Sequence, residues 1–278
     1  MILRKCSLSV GWYPSFAEKI KEFLKNETKT VKRGTAAACL VPHAGWAYSG
    51  AIAASGMAQL DPAIETVVVI GGHLPAGHPP LFAFEDGVET SLGPLLFDTE
   101  LREILMNQYR FCEDVYKDNS VEVLIPMVKY FFPQARMLWL RLPADMSSFD
   151  MGKKLKQAAL RLKRPLAVIA SSDLTHYGYH YGFSPKGQGE AAYNWVREVN
   201  DAAFIEAALN GNSGDVLKQA EQNKSACSAG AVLALLGYVS FSQTKAVLIN
   251  YGTSADKEGG NIPDSFVGYA ACAWKSLT

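Results

Sequence analysis

The sequence predicts an α/β fold, a single-domain sandwich in which helices flank a central, largely buried sheet. Three short apolar runs, at residues 36–41, 66–70 and 166–170, have the length and composition of strands that are buried on both faces. Segments with helical patterns alternate with strand-like runs along the chain, as is typical of this class. With 278 residues the chain is long enough to bury a full core, and we expect residues 1–278 to form one domain.

The other elements follow from local patterns, taken in chain order. Apolar residues on one face predict a first helix over residues 16–25, with Ser15 as its cap. A helix of small residues is expected to end near residue 60, and residues 81–97 are typical of short strands and turns. The remaining helices are predicted over residues 99–108, 121–132, 147–162 and 189–209, and the remaining strands over residues 135–142, 245–251 and 266–274.

Composition narrows the classes of function. Lys plus Arg number 27 and Asp plus Glu also number 27, so there is no net positive field to attract nucleic acid or an anionic membrane. No apolar stretch reaches the roughly 18–20 residues that span a bilayer. Residues 1–6 lack the long apolar segment of a signal peptide. We therefore expect a cytoplasmic protein without a nucleic-acid or membrane partner.

Each of the three apolar runs ends in a polar turn that carries histidine. The first run leads into His43, the second into His73, and the third into a turn that holds Asp173 and His176. In open α/β sheets, ligands bind beyond the carboxyl ends of the strands. If the three strands are parallel neighbours, these side chains converge. Imidazoles and a carboxylate gathered there would form a metal or proton-transfer centre.

A cysteine extends this set. The chain has five scattered cysteines and no CxxC pair, which excludes zinc-ribbon and thioredoxin-like proteins. Cys227 lies between serines just before the apolar residues 231–236, a pattern that indicates a helix start. A thiol near a helix N-terminus has its thiolate stabilised by the helix dipole. Two imidazoles and a thiolate suit iron, copper or zinc, and the sequence does not choose among them.

Simpler interpretations stay open for each of these residues. His43 and His73 also fit histidines that only hydrogen-bond a turn. Asp173 also fits a helix cap, with His176 packed on a neighbouring tyrosine, although an aspartate three residues from a histidine can fix its tautomer or take a proton. Cys227 also fits an ordinary buried thiol.

Five segments, in a fixed order, identify a resemblance that runs along nearly the whole chain. They are Gly-Trp-Tyr-Pro at 11–14, Pro-His-Ala-Gly-Trp-Ala-Tyr-Ser-Gly at 42–50, Ser-Leu-Gly-Pro-Leu at 91–95, Ser-Ser-Asp-Leu-Thr-His-Tyr-Gly at 171–178 and Val-Gly-Tyr-Ala-Ala at 267–271. In these segments the chain resembles the MEMO family, the mediator of ErbB2-driven cell motility and its microbial relatives.

The resemblance implies a fold similar to class III extradiol dioxygenases, which are non-heme iron enzymes. It implies that His43, His73 and Cys227 form the site, which we expect to hold a single iron or copper ion, with zinc not excluded. Asp173 and His176 are the expected catalytic residues beside it, and no nucleotide cofactor is expected. The expected partners are an AMMECR1-like protein and a radical SAM protein, as in AmmeMemoRadiSam systems, and a small molecule or peptide in the cleft.

The chain departs from the family pattern at three points. It has Gly-Gly-His at 71–73 where the family usually has Gly-Pro-x-His, Asp-Asn-Ser at 118–120 where the family tends to have Glu-His-Ser, and Ser228 where a glycine is expected. Three functions are therefore compared: a metal-binding, redox-type protein, a non-catalytic peptide- or protein-binding module that uses the same cleft, and a cysteine hydrolase with Cys227 as nucleophile.

Overall fold

The computed structural model describes residues 1–277, which contain twelve strands and ten α-helices. The strands are β1 (Leu3–Arg4), β2 (Ala36–Val41), β3 (Thr66–Leu74), β4 (Leu81–Phe82), β5 (Gly87–Val88), β6 (Leu95–Leu96), β7 (Cys112–Glu113), β8 (Arg136–Pro143), β9 (Leu166–Ser171), β10 (His176–Gly178), β11 (Thr244–Thr253) and β12 (Ser265–Ser276). The α-helices are α1 (Ala17–Glu27), α2 (Ala51–Met57), α3 (Thr99–Met106), α4 (Asn119–Glu122), α5 (Ile125–Phe131), α6 (Met146–Leu162), α7 (Glu190–Trp195), α8 (Asp201–Leu209), α9 (Ser213–Asn223) and α10 (Ala229–Val239).

One nine-stranded sheet organises the molecule. Its strand order is β10-β12-β2-β9-β3-β8-β4-β7, and β11 pairs with β12 as well, while β1, β5 and β6 form a small separate sheet. Strands β2, β9, β3 and β8 are parallel neighbours. The three apolar runs predicted from the sequence therefore lie side by side, and their carboxyl ends share one edge of the sheet.

Helices cover both faces of this sheet because the side chains of its central strands alternate between two apolar clusters. Along β3, Val68 belongs to the cluster that includes Leu155 of α6 and Leu233 of α10. Its neighbour Val67 belongs to the opposite cluster, which includes Met57 of α2. Successive residues of a strand point to opposite faces, so a continuous apolar run is what a doubly covered strand requires. The α/β class, with a central sheet flanked by helices, is confirmed.

Several predicted elements differ in detail from the observed ones. The first helix begins at Ala17, and its N-cap is Phe16 with no side-chain hydrogen bond, so the prediction of a Ser15 cap is wrong. The backbone oxygen of Ser15 instead accepts a hydrogen bond from the Ser91 hydroxyl. The helix predicted over 189–209 consists of α7 and α8 joined by a π-helical turn at Val196–Asn200. Among residues 1–277, no helix combines the length and apolarity needed to cross a membrane.

Candidate metal centre

Three segments that are distant in the sequence meet at the carboxyl edge of the central strands. His43 follows β2, His73 lies at the end of β3, and Cys227 lies just before α10. His43 Nε2 is 3.2 Å from the Cys227 sulfur, and the two imidazole rings have centroids 4.9 Å apart. One candidate ligand atom from each residue lies within 4.8 Å of the other two. The convergence that the strand order predicts is therefore present for these three side chains.

His43 is buried and held on several sides. Its Nδ1 shares a 2.9 Å hydrogen bond with the Ser171 hydroxyl at the end of β9. Its backbone N–H donates to Asp173 Oδ1 at 2.7 Å, and its backbone oxygen accepts from the side chain of Asn119 at 2.9 Å. Because Nδ1 is engaged, Nε2 is the nitrogen that faces Cys227.

His73 is held from the opposite side by a carboxylate. Its Nδ1 is 2.8 Å from Asp118 Oδ2, and the same oxygen accepts a hydrogen bond from Arg141 at 3.1 Å. The Arg141 Nε also donates to the backbone oxygen of Gly72 at 3.0 Å. The side chain of His73 remains 30% exposed, which makes it the solvent-facing member of the cluster. A histidine whose second nitrogen binds a carboxylate is the usual arrangement around metal ions in proteins.

Gly72 allows β3 to approach the segment that carries the cysteine. A Cβ atom at this position would lie 2.5 Å from both Cβ and Oγ of Ser228, a distance that side chains do not tolerate. The Ser228 N–H in turn donates to the Ser172 hydroxyl at 3.1 Å, and the Cys227 N–H donates to the backbone oxygen of Asp173 at 3.2 Å. Cys227 is therefore fixed by backbone contacts to the turn that follows β9.

The cluster has an unusual charge distribution. Burial raises the pKa of Cys227, but the adjacent His43 and His73 outweigh burial and hold it well below its ordinary value. Burial lowers the pKa of His73, yet hydrogen bonds to Asp118 and Cys227 bring it to about 10. For His43 the effect of burial is likewise outweighed by Cys227 and Asp173, so its pKa is raised. Without a metal ion the cluster thus favours a Cys227 thiolate beside a protonated His73, and the proton on the ligating nitrogen of His73 must leave when a metal binds.

The two predicted catalytic residues occupy different places. Asp173 is almost fully buried, with Oδ2 3.9 Å from His43 Nε2, and burial raises its pKa. His176 lies in β10 outside the three-residue cluster, where its Nδ1 is 3.2 Å from the backbone oxygen of Leu174 and its ring meets the Tyr181 ring edge-on. Both residues line one cleft of about 380 Å³ next to the cluster.

Asp118, Arg141 and Ser171 contact the site, and sequence reasoning assigned them no role in it. Ser171 was part of a recognised motif, and its position at the end of β9 was the available signal. Asp118 lies in the segment 118–120, where the chain departs from the family pattern, but that departure assigned no role to the carboxylate. Arg141 carried no comparable signal, because its contact with Gly72 depends on the pairing of β8 with β3.

The fold and the cluster together define an α/β protein with a candidate metal centre at the carboxyl ends of its parallel strands. The chain belongs to the Memo-like protein family, whose family model matches residues 4–273. It is 29% identical to a MEMO1 family protein of Pyrobaculum arsenaticum, with 98% of each chain covered. It is 28% identical to a MEMO1 family protein of Methanosarcina barkeri, covering 97% of this chain and 98% of the relative. The resemblance stated from the sequence is confirmed.

A solved structure supports the fold. The chain is similar to an uncharacterized protein from Escherichia coli K12, with a TM-score of 0.53 and 16% identity, covering 86% of this chain and 100% of that one. At this identity the similarity concerns the fold alone. It supports the α/β fold with a central sheet flanked by helices.

Proposed function

We propose that the protein binds one transition-metal ion through His43, His73 and Cys227 and uses it in redox-type chemistry on a small molecule. The supporting observation is that one ligand atom from each residue lies within 4.8 Å of the other two. Metal–nitrogen bonds of about 2.0–2.1 Å and metal–sulfur bonds of about 2.3 Å place tetrahedral ligand atoms roughly 3.3–4 Å apart. Only small side-chain shifts separate the cluster from that spacing.

The chemistry of the donor set also fits. Asp118 and Ser171 engage the Nδ1 atoms of His73 and His43, so both Nε2 atoms are oriented toward the sulfur. Imidazole and thiolate ligands suit iron, copper and zinc, and three protein ligands leave positions for a substrate. Bound iron or copper would supply redox and Lewis-acid chemistry at this edge of the sheet.

The residues beside the cluster have distinct tasks in this proposal. The Asp173 carboxyl group accepts the backbone N–H of His43 and thereby positions that ligand. The Nδ1 atom of His176 lies next to the backbone oxygen of Leu174, and it must carry a hydrogen to bond that oxygen. In the neutral ring, Nε2 is therefore the nitrogen that can accept a proton. We assign His176 the movement of protons to and from a ligand in the cleft.

Metal content tests the proposal. Wild-type protein, His43→Ala, Cys227→Ser and the control His180→Ala are purified without added metal, reconstituted with Fe²⁺, Cu²⁺ or Zn²⁺, and measured by plasma mass spectrometry. His180 is a suitable control because it is an exposed imidazole outside the cluster. We expect close to one ion per chain in wild type and His180→Ala, and a loss of about tenfold or more in the two ligand variants. Equal and negligible metal in wild type and His43→Ala would contradict metal binding.

A cysteine hydrolase is the second candidate. The 3.2 Å separation of His43 Nε2 and the Cys227 sulfur is also the geometry of a nucleophile and its base. Iodoacetamide labelling near neutral pH separates the two functions. A hydrolase requires fast labelling of Cys227 in the protein as isolated, whereas a metal site predicts that reconstitution slows the labelling and a chelator restores it.

The cleft also suits a binding module without catalysis, because aromatic side chains such as Trp12 and Tyr48 line it. A pull-down with an AMMECR1-like protein, and another with a radical SAM protein, tests this candidate. Binding that is unchanged in the double variant His43→Ala/Cys227→Ser supports a metal-independent module. Loss of binding in that variant supports an interaction that requires the metal centre.

A further inference from the structure

We propose that the cleft beside the candidate metal centre accepts an aromatic ligand that carries an ammonium group. The inference rests on the proposed function in one respect, since this cleft is where a substrate of the centre would lie. Asp173 and Asn119 connect the two, because both line the cleft and both hydrogen-bond His43.

Several aromatic side chains line the cleft. Its lining includes Trp12, Tyr48, Tyr181 and Tyr269, and its volume of about 380 Å³ is large enough for a small ring compound. Tyr269 is buried, whereas Tyr48 and Tyr181 are about half exposed, at 47% and 46%. Partly exposed aromatic faces in a cleft provide stacking surfaces for a planar ring and attract a cation through their electron-rich faces.

The charged groups of the cleft are all acidic. Among residues 1–277, its lining contains the carboxyl groups of Asp173 and Glu258 and no lysine or arginine. A phosphate or carboxylate ligand would therefore find no permanently cationic side chain there. A ligand with an ammonium group would find carboxylates and the acceptor nitrogen of His176.

Glu258 is the carboxylate that we assign to the ammonium group. Asp173 already accepts the backbone N–H of His43. Within the described part of the chain, the Glu258 side chain has no hydrogen bond or ion pair; its hydrogen bonds are made by its backbone, to Ala255 and from Asn261. An exposed carboxylate that lines the same cleft as Tyr48 and Tyr181 can bind a cation without disturbing the buried contacts of the site.

A matched series of probes tests the proposal. 2-Phenylethylamine, 2-phenylethanol and 3-phenylpropionate share a ring and a short chain but carry a positive, a neutral and a negative group. Their binding is measured by NMR titration at low ionic strength, with metal-reconstituted and with chelator-treated protein. We expect the amine to bind about tenfold more tightly than the propionate in both preparations, and added salt to reduce the difference. Equal or tighter binding of the propionate in chelator-treated protein would overturn the proposal.

Two variants test whether Glu258 is the group that binds the amine. Glu258→Gln should weaken amine binding about threefold and leave phenylethanol unchanged, while Glu221→Gln, an exposed glutamate on α9, should change neither. An amine affinity that is unaffected by Glu258→Gln would contradict the assignment. Metal content is measured on the same samples, so that failure of the cleft proposal and failure of metal binding are recognised separately.

Discussion

His73 has a backbone conformation that few residues other than glycine adopt. Its φ is 58°, and the pairing of β3 with β8 is irregular between Gly71 and Leu74. The left-handed region costs a side-chain-bearing residue about 1–2 kcal/mol. Strain of this kind persists where surrounding contacts hold it and is concentrated at functional sites. Here the ion pair with Asp118 fixes the ring so that Nε2 faces Cys227.

Because of this strain, we expect glycine at position 73 to give a more stable protein than alanine, the reverse of their usual order. His73→Gly and His73→Ala both remove the imidazole, but only glycine adopts a positive φ without a steric cost, so the glycine variant should be more stable by about 1 kcal/mol. Urea unfolding of chelator-treated proteins measures the difference, and both variants should lose bound metal. An alanine variant as stable as the glycine variant would show that the backbone at residue 73 is unstrained.

Replacing Asp118 should change the metal affinity even though Asp118 is not one of the proposed metal ligands. Asp118→Asn keeps an acceptor for His73 but removes the negative charge, which should weaken metal binding about 10–100-fold. Competition with a chromophoric chelator measures the affinity, and thermal unfolding verifies that the variant is folded. Asp150→Asn is the matched control because Asp150 is an exposed carboxylate that pairs with Lys153 on the same helix. An affinity within twofold of wild type would contradict the role given to Asp118.

At the level of elements, strands with continuous apolar runs were predicted best. The first run, 36–41, has the same bounds as β2, because burial on both faces leaves an unambiguous pattern. By contrast, α9 was not predicted, since Val216 is its one buried residue and a surface helix needs little apolar periodicity. β10 was not predicted either, because a segment of three residues is too short to show a periodic pattern, and the strand forms through its pairing with β12. His43 was found from its position after an apolar run and Cys227 from the helix-start pattern around it, whereas the contact of Asp118 with His73 joins residues 45 apart in the sequence.

The contact between α6 and α10 gives a prediction at this level. Gly237 of α10 lies against α6 so closely that an added Cβ would be 1.9 Å from the backbone oxygen of Phe149. Gly237→Ala should force the helices apart and lower the free energy of unfolding by about 1–3 kcal/mol. Gly214→Ala on α9 is the control, because its nearest neighbour is a side-chain atom 3.6 Å away and alanine favours helix. Chemical denaturation measures both, and a Gly237→Ala variant as stable as wild type would contradict the close packing.

The whole molecule determines the site, because its residues come from strands and loops that only the complete sheet brings together. A further contact beside the site involves the buried carboxyl group of Asp201. Asp201 of α8 accepts hydrogen bonds from Thr175, in the turn between Asp173 and His176, and from Tyr251 of β11 at 2.8 Å. The turn that carries both predicted catalytic residues is therefore fixed by a carboxyl group that is not itself part of the His43–His73–Cys227 cluster.

The Asp201 carboxyl group should make the free energy of unfolding depend on pH. Burial raises the pKa of Asp201 from 3.8 to about 7, although hydrogen bonds from Thr175 and Tyr251 oppose the rise. Burial also raises the pKa of Tyr251 far above its ordinary value, so Tyr251 stays neutral across this range. Because the folded state holds the Asp201 proton more tightly than the unfolded state, the contribution of this group to stability is complete below about pH 4 and is lost as the pH rises through 7.

Asp201→Asn does not titrate, so the stability of this variant relative to wild type should increase by about 2–3 kcal/mol between pH 5 and pH 8. Urea unfolding of both proteins at the two pH values measures this change, and a difference that is the same at both would show that Asp201 is ionised in the folded protein throughout.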